Sequence, residues 1–362
     1  MTKSNDCQKI QSSESHTSID EHLQTSGAQA SGVLVQSIED EKPGFHGSRT
    51  CKIICDSCGD FAPQVLENLD VECIKFSYFI DSHEYVDDIW QSIDAHTFYE
   101  MIAQGKIATT AAVSPGMYYQ IFEQYAQQNI PCIYFGFTAG LSSSIHNAQT
   151  AKQMIEKDYP GYEMYVLDNL LPSASAELLV MEAARLASQG FDAQELYHWA
   201  QDARYYVHGY FTLDSFDTLA RGGRIPAAAA QAGGKLDIKP ELTYDLGGSL
   251  VLKKMCRGRK KALRAMLDEF KENCDPTNTY PIAIVDSDAP KDAQWLEAQI
   301  RKDKLWEDSV IIHSSVSPVI GSHTGPGMVA ICFWGNDRRE KLSLTDRIAH
   351  RVKKSDGQKK GI

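Results

Sequence analysis

Hydroxyl side chains gather where a strand runs into a helix. In the stretch CIYFGFTAGLSSSIHNAQ (132–149), residues 132–137 read as a buried strand and 138–144 as a small polar turn. A helix begins near Ser144 and carries Ala148, Ala151 and Met154. The first-turn N–H groups of a helix lack intrahelical partners, and its dipole adds positive character there, so such a junction can hold an anion. Thr138, Ser142, Ser143 and Ser144 supply further O–H donors. The chain has neither a Gly-x-x-x-x-Gly-Lys-Ser/Thr loop nor a Gly-x-Gly-x-x-Gly turn, so nucleotide phosphate is not the expected anion. An ordinary hydroxyl-capped connection is the alternative reading of the same turn.

Other polar groups stand at comparable places. Ala108-Thr109-Thr110 leads through Ser114-Pro115-Gly116 into a helix containing Tyr118, Ile121, Phe122 and Tyr125. His323 sits among three glycines in Ile320-Gly321-Ser322-His323-Thr324-Gly325-Pro326-Gly327, read as a loop where a ligand can approach the backbone closely. Arg221 and Arg224 bracket Gly222-Gly223, and a guanidinium there suits a carboxylate or phosphate. Asp56 ends a short strand, and capping of the following turn is its expected role.

Cys51, Cys55 and Cys58 have a C-x3-C-x2-C spacing that can ligate three irons of a cubane cluster. Residues 52–54 read as a strand, which would separate Cys51 from Cys55 by roughly 13 Å. Three thiolates on such a backbone do not converge, and no metal is expected. Lys253, Lys254, Arg257, Arg259, Lys260, Lys261 and Arg264 form the densest basic cluster. It reads either as a solvated hairpin–helix face or as a docking surface for an acidic partner. It has no interleaved aromatics, so nucleic acid is the weaker choice.

Alternating strands and helices must position these groups. Strands are expected at 52–55, 73–79, 85–87, 132–137 and 162–167, with helices at 61–69, 94–105 and 173–189. Beyond Tyr205 the pattern changes. Strands at 206–213, 239–244, 249–255, 281–285, 310–313 and 328–334 mix with helices at 215–220, 227–231, 257–272 and 293–302. Asp245-Leu246-Gly247-Gly248 reads as a hairpin turn. The expected fold is two α/β domains, 51–205 with a mainly parallel sheet and 206–337 with a mixed one. Residues 1–50 read as a disordered extension and 338–362 as a polar, basic tail.

Composition narrows the function. A net charge of -12 argues against bulk nucleic-acid binding and against an anionic membrane surface. No apolar run spans a bilayer and no secretory leader pattern opens the chain. Nine cysteines in mostly apolar settings suit free thiols in a reducing cytoplasm.

Taken in order, the motifs resemble the DegV family, which includes the fatty-acid-binding subunits of bacterial fatty acid kinase. They are the strand ending in Asp56-Ser57, Thr109-Thr110 with Ser114-Pro115-Gly116, Ala139-Gly140-Leu141-Ser142, Gly222-Gly223-Arg224-Ile225, Ile238-Lys239-Pro240, Arg257-Gly258-Arg259-Lys260-Lys261-Ala262 and His323-Thr324-Gly325-Pro326-Gly327. The similarity covers about Cys51 to Trp334. It implies a long-chain fatty acid at the interface of the two domains, with its tail in an apolar tunnel and its carboxylate, where the domains meet, held by Thr110, Ser142 and His323, with Arg224 beside them. It differs where the family's Ser-Gln-Pro is Ala111-Ala112-Val113, and where the Gly-x-Gly after Asp168 is Ser175-Ala176-Glu177.

The expected function is therefore a cytoplasmic, non-catalytic lipid-binding protein without cofactor. It would present the bound carboxylate to the ATP-binding subunit of a fatty acid kinase. Arg257, Arg259, Lys260 and Lys261 would dock that partner. A stand-alone enzyme acting on a small carboxylate or phosphate, and an iron–sulfur enzyme using the three cysteines, are the alternatives.

Overall fold

The computed structural model describes residues 50–225 and 238–341. The extension expected over 1–50 (Thr50 apart), the helical run at 227–231 and the tail from 342 lie outside the described residues. β1 (Lys52–Asp56) is followed by α1 (Pro63–Asn68), β2 (Val71–Ile74), β3 (Ser77–Ile80), β4 (His83–Val86), α2 (Ala95–Ala103) and β5 (Ala108–Thr110). Then come α3 (Pro115–Gln127), β6 (Cys132–Gly136), α4 (Ser144–Asp158), β7 (Met164–Asp168), α5 (Ala174–Ser188) and α6 (Ala193–Ala203). β8 (Val207–Thr212) and α7 (Asp217–Arg221) precede β9 (Ile238–Tyr244), β10 (Leu250–Arg257) and α8 (Arg259–Asn273). β11 (Ile282–Asp286), α9 (Pro290–Ile300), β12 (Ile311–Ser315), α10 (Pro318–Thr324) and β13 (Val329–Trp334) complete the order.

The α/β architecture is as expected. One sheet has the order β2-β1-β6-β7 and is parallel throughout. β6 is buried along its whole length, which is why its sequence is a continuous apolar run without alternation. The second sheet, β10-β9-β8-β13-β11-β12, is mixed, with only β11 and β12 parallel. A small antiparallel sheet, β4-β3-β5, ends in Thr110.

Three local expectations are corrected. Residues 73–79 are not one strand: β2 stays in the parallel sheet beside β1, and β3 leaves for the small sheet. Residues 320–327 are not simply a loop. Ser317 caps α10 by accepting the N–H of Ile320, Pro318 occupies its first turn, and His323 lies in its last turn. Residues 193–203 form a helix that the pattern reading passed over, opened by a capping box of Asp192 and Glu195.

Asp56 caps a turn, as its position suggests, and does more. Its carboxylate accepts the N–H of Cys58 at 3.1 Å, the N–H of Phe137 at 2.7 Å and the hydroxyl of Tyr134 at 2.9 Å. The end of β1 is thereby tied to the end of β6, where the polar turn begins. Burial pushes the Asp56 carboxyl up to about 6, against the lowering effect of these bonds. Because the folded value is raised, the stability from the bound proton is complete below about pH 4 and is lost as pH rises through 6. We expect Asp56→Ala to cost about 3 kcal/mol, since two buried N–H groups lose their acceptor. Asp56→Asn should flatten the dependence of stability on pH between 4 and 6. Urea unfolding across that range tests both, and an unchanged slope in the asparagine variant would contradict the assignment.

A candidate carboxylate site at the mouth of an apolar cavity

The turn 138–144 divides its hydroxyls between structure and cavity. Thr138 is fully buried; its Oγ1 accepts the N–H of Gly140 at 3.1 Å and donates to the carbonyl of Gly248 at 3.3 Å. Ser144, also buried, accepts the N–H of Val113 at 3.3 Å. Neither lines the cavity, whereas Ser142 and Ser143 do. The Ser144 N–H at the start of α4 is taken by Ser142 Oγ at 3.2 Å, so part of the helix-terminus donor set is satisfied internally.

Thr110 ends β5 and His323 lies near the end of α10. They are 213 residues apart in sequence, yet Thr110 Oγ1 and His323 Nε2 share a 2.8 Å hydrogen bond. Arg224 follows α7 and spans to the polar turn, its Nε donating to the Leu141 carbonyl at 3.2 Å. Its Nη1 donates to the Gly222 carbonyl. Thr110, Ser142, Arg224 and His323 all line one cavity of ≈ 210 Å³. The rest of its wall is largely apolar and comes from the mixed sheet, from neighbouring helices and from segments that follow strands of the parallel sheet, including Phe76, Phe137, Leu219, Val319, Met328 and Ala330. The four polar residues are each partly exposed, while Met328, Ala330 and Cys332 are buried. The polar end is therefore the mouth.

The imidazole is neutral at ordinary pH. Burial, with a smaller contribution from the Arg224 charge, lowers the His323 value from its usual range to about 4. Burial lowers the Arg224 value as well. His323 Nδ1 has no hydrogen-bond partner and faces Gly222, where an added Cβ would collide with it. Gly222, bracketed by Arg221 and Arg224 in the sequence, serves close approach to the ring. Among the described residues no group of His, Cys, Asp and Glu side chains could hold a metal ion. Cys51, Cys55 and Cys58 are buried, Cys55 within β1 and Cys51 just ahead of it.

The model of the family described as "Uncharacterised protein, DegV family" matches residues 50–336. The chain belongs to the DegV family. A DegV domain-containing protein of Clostridium perfringens is 32% identical over 286 residues, covering 79% of this chain and 98% of that one. A DegV lipid-binding protein from Thermotoga maritima has the same fold, with a TM-score of 0.69 at 23% identity, over 80% of this chain and 99% of that chain. So has the Fatty Acid Kinase (Fak) B3 protein of Streptococcus pneumoniae, solved loaded with linoleic acid: TM-score 0.69, 24% identity, 79% and 100% coverage. Among the described residues no helix is long and apolar enough to cross a membrane.

The basic cluster of this DegV chain is not uniformly open. Arg259 is committed to Asp292 at 2.7 Å and faces Asp214 at 3.9 Å, and Lys253 pairs with Glu269 at 2.6 Å. Arg257, Lys260, Lys261 and Arg264 are exposed. Arg259 thus braces α8 against α9, a pairing the sequence did not indicate.

The site's electrostatics are open to direct test by NMR. The His323 ring should titrate near pH 4. Arg224→Ala should move its midpoint upward but leave it below the ordinary 6.5, because burial is the larger cause. A wild-type midpoint at or above 6.5 would contradict the buried, neutral ring.

Proposed function

We propose that this protein binds one long-chain fatty acid and presents its carboxylate to a separate kinase. The tail lies along the apolar cavity and the head at its mouth. The observation that carries this reading is the convergence of Thr110, Ser142, Arg224 and His323 on the partly exposed end of a largely apolar cavity. Thr110 Oγ1 and His323 Nε2 lie 2.8 Å apart, and a carboxylate oxygen seated beside them would take their two donors in place of the bond they share. Ser142 serves the second oxygen by turning its O–H from Ser144 Oγ, which accepts it at 3.1 Å, and Arg224 supplies the positive charge that a singly charged ligand requires. A buried carboxylate without such donors would take up a proton instead.

The tail supplies the affinity. Burying about ten methylenes at roughly 0.8 kcal/mol each contributes about 8 kcal/mol, which corresponds to micromolar binding before ordering costs. The head supplies orientation, leaving the carboxylate where a phosphoryl donor reaches it from solvent. The chain acts as a substrate-presenting subunit and needs no cofactor of its own. Exposed Arg257, Lys260 and Lys261 form the docking face: the head site already accounts for the ligand's charge, and further cations in an acidic protein steer an acidic partner.

Mass spectrometry of lipid extracted from the purified protein tests the ligand class, and a protein free of fatty acid that binds none on addition would sink the proposal. Thr110→Val, Ser142→Ala and His323→Ala should each weaken fatty-acid binding by roughly 10- to 100-fold, the loss of one charge-assisted hydrogen bond. Undiminished affinity in all three would remove these residues from the site. The double reversal Arg257→Glu with Lys261→Glu should leave that affinity near wild type and reduce phosphorylation by a fatty acid kinase. Added salt should weaken the wild-type coupling. A variant that instead loses fatty acid and keeps its coupling would place the cluster at the ligand.

A further inference from the structure

The cavity has a far end as well as a mouth. On β13 the alternate residues Ala330 and Cys332, continued back to Met328, all line the cavity. Met328 lies five residues after His323, so the row runs inward from the head site. At strand rise, Cys332 is roughly 13 Å along from Met328. β8 pairs with this row, Phe211 opposite Ala330 and Gly209 opposite Cys332. At the Gly209–Cys332 level the wall is completed by Ser175 from α5 and Tyr244 from β9.

This end is shut. Ser175, Cys332 and Tyr244 are 0%, 2% and 4% exposed. The Tyr244 hydroxyl donates to Ser175 Oγ at 2.9 Å. The two side chains press on β8 so closely that a Cβ at Gly209 would lie 2.6 Å from Ser175 Oγ and 2.7 Å from Tyr244 Cε1. Because the two hydroxyls are bonded to each other, the wall offers an incoming methyl group no unsatisfied polar atom. Lengthening the cavity here means breaking that bond.

Tyr244 is also held from behind. The Arg338 guanidinium lies 4.3 Å from the centroid of the Tyr244 ring. Arg338 Nη2 donates to the carbonyls of Tyr244 at 2.6 Å and Asp245 at 2.9 Å. Arg338 follows the segment matched by the family model, which ends at residue 336. A residue expected to open a basic tail therefore backs Tyr244, a residue of the cavity's end wall.

We propose that the Ser175–Tyr244 pair is the stop that sets the length of acyl chain this cavity accepts, and that Arg338 braces the stop. This rests on the fatty-acid reading of the cavity. The terminal methyl of a fitting chain meets the stop while its carboxylate reaches Thr110, Ser142 and His323. A longer chain loses the head contacts, and a shorter one leaves apolar wall uncovered. Each methylene gained or lost at the stop changes affinity about fourfold.

The test is competition among lauric, myristic, palmitic and stearic acids for the full-length protein after lipid removal. Ser175→Gly enlarges the end and should shift the preference towards longer acids. Ser175→Thr keeps the hydroxyl and adds a methyl group, and should shift it towards shorter ones. It carries the test even if glycine near the start of α5 weakens folding. Tyr244→Phe and Arg338→Ala should both shift in the same direction as Ser175→Gly. Variants that bind as tightly as wild type with an unchanged length preference would overturn the stop while leaving fatty-acid binding intact. A wild-type protein that binds none of the four acids would overturn both proposals.

Discussion

One buried carboxylate fixes the relation between the cavity and its head group. Asp60 follows the 3-10 turn at Ser57–Gly59, is 2% exposed, and accepts two donors from distant parts of the chain. One is the backbone N–H of Ser317 at 2.7 Å, where α10 begins. The other is the hydroxyl of Ser173, at the start of α5. Ser173 has φ 59°, a conformation unfavourable for a residue with a side chain, of the kind that costs on the order of 1–3 kcal/mol unless its surroundings hold it. Asp60 is that hold, helped by the bond from the Ser173 N–H to the Cys58 carbonyl. Through this one group the elements carrying Ser175 at the far end and His323 at the mouth are referenced to the same point. Burial pushes the Asp60 carboxyl up to about 6, so the junction is a costly one for a charge and depends on both donors.

The electrostatics at the mouth follow from a different balance. Arg224 is the one cation among the four polar head residues, and it lies close enough to His323 to oppose a second positive charge there. A ring held neutral donates or accepts a hydrogen bond without adding charge. The head site therefore presents one formal positive charge and several neutral donors, a match for a monoanion. A phosphate with two charges would find the same geometry under-compensated. This is the physical reason to read the site as one for a carboxylate rather than for a phosphate ester.

Much of this was legible in the sequence, though not by one route. The strand–turn–helix at 132–158 could be read from local pattern alone, because a buried parallel strand is a continuous apolar run and Ser144 begins a periodic helix. The pairing of Thr110 with His323 could not. Nothing local to either residue specifies a partner 213 positions away, and only the ordered motifs of a known family place them together. Misreadings have equally specific causes. Apolar residues on both sides of Lys75 hide the point where β2 ends and β3 departs to another sheet. The glycines around His323 suggested a loop, although Ser317-Pro318 is a helix-start signal just upstream. Asp192 with Glu195 was an overlooked capping box. Arg259 looked like its basic neighbours because its partners, Asp214 and Asp292, are remote in sequence.

The hairpin β9–β10 joins the features that sequence treated separately. Its turn is seated on the polar turn of the first sheet so tightly that a Cβ on Gly140 would lie 2.5 Å from the Gly248 carbonyl carbon. Gly248 itself has φ +79°, which a side chain would strain. Thr138 is bonded across the same contact. Tyr244, the last residue of β9, forms the end wall, and Leu250, the first of β10, lines the cavity. β10 ends at Arg257, on the exposed basic face. A partner resting on Arg257, Lys260 and Lys261 would therefore press on a strand whose other end touches the ligand cavity. That connection is continuous backbone in a hydrogen-bonded sheet.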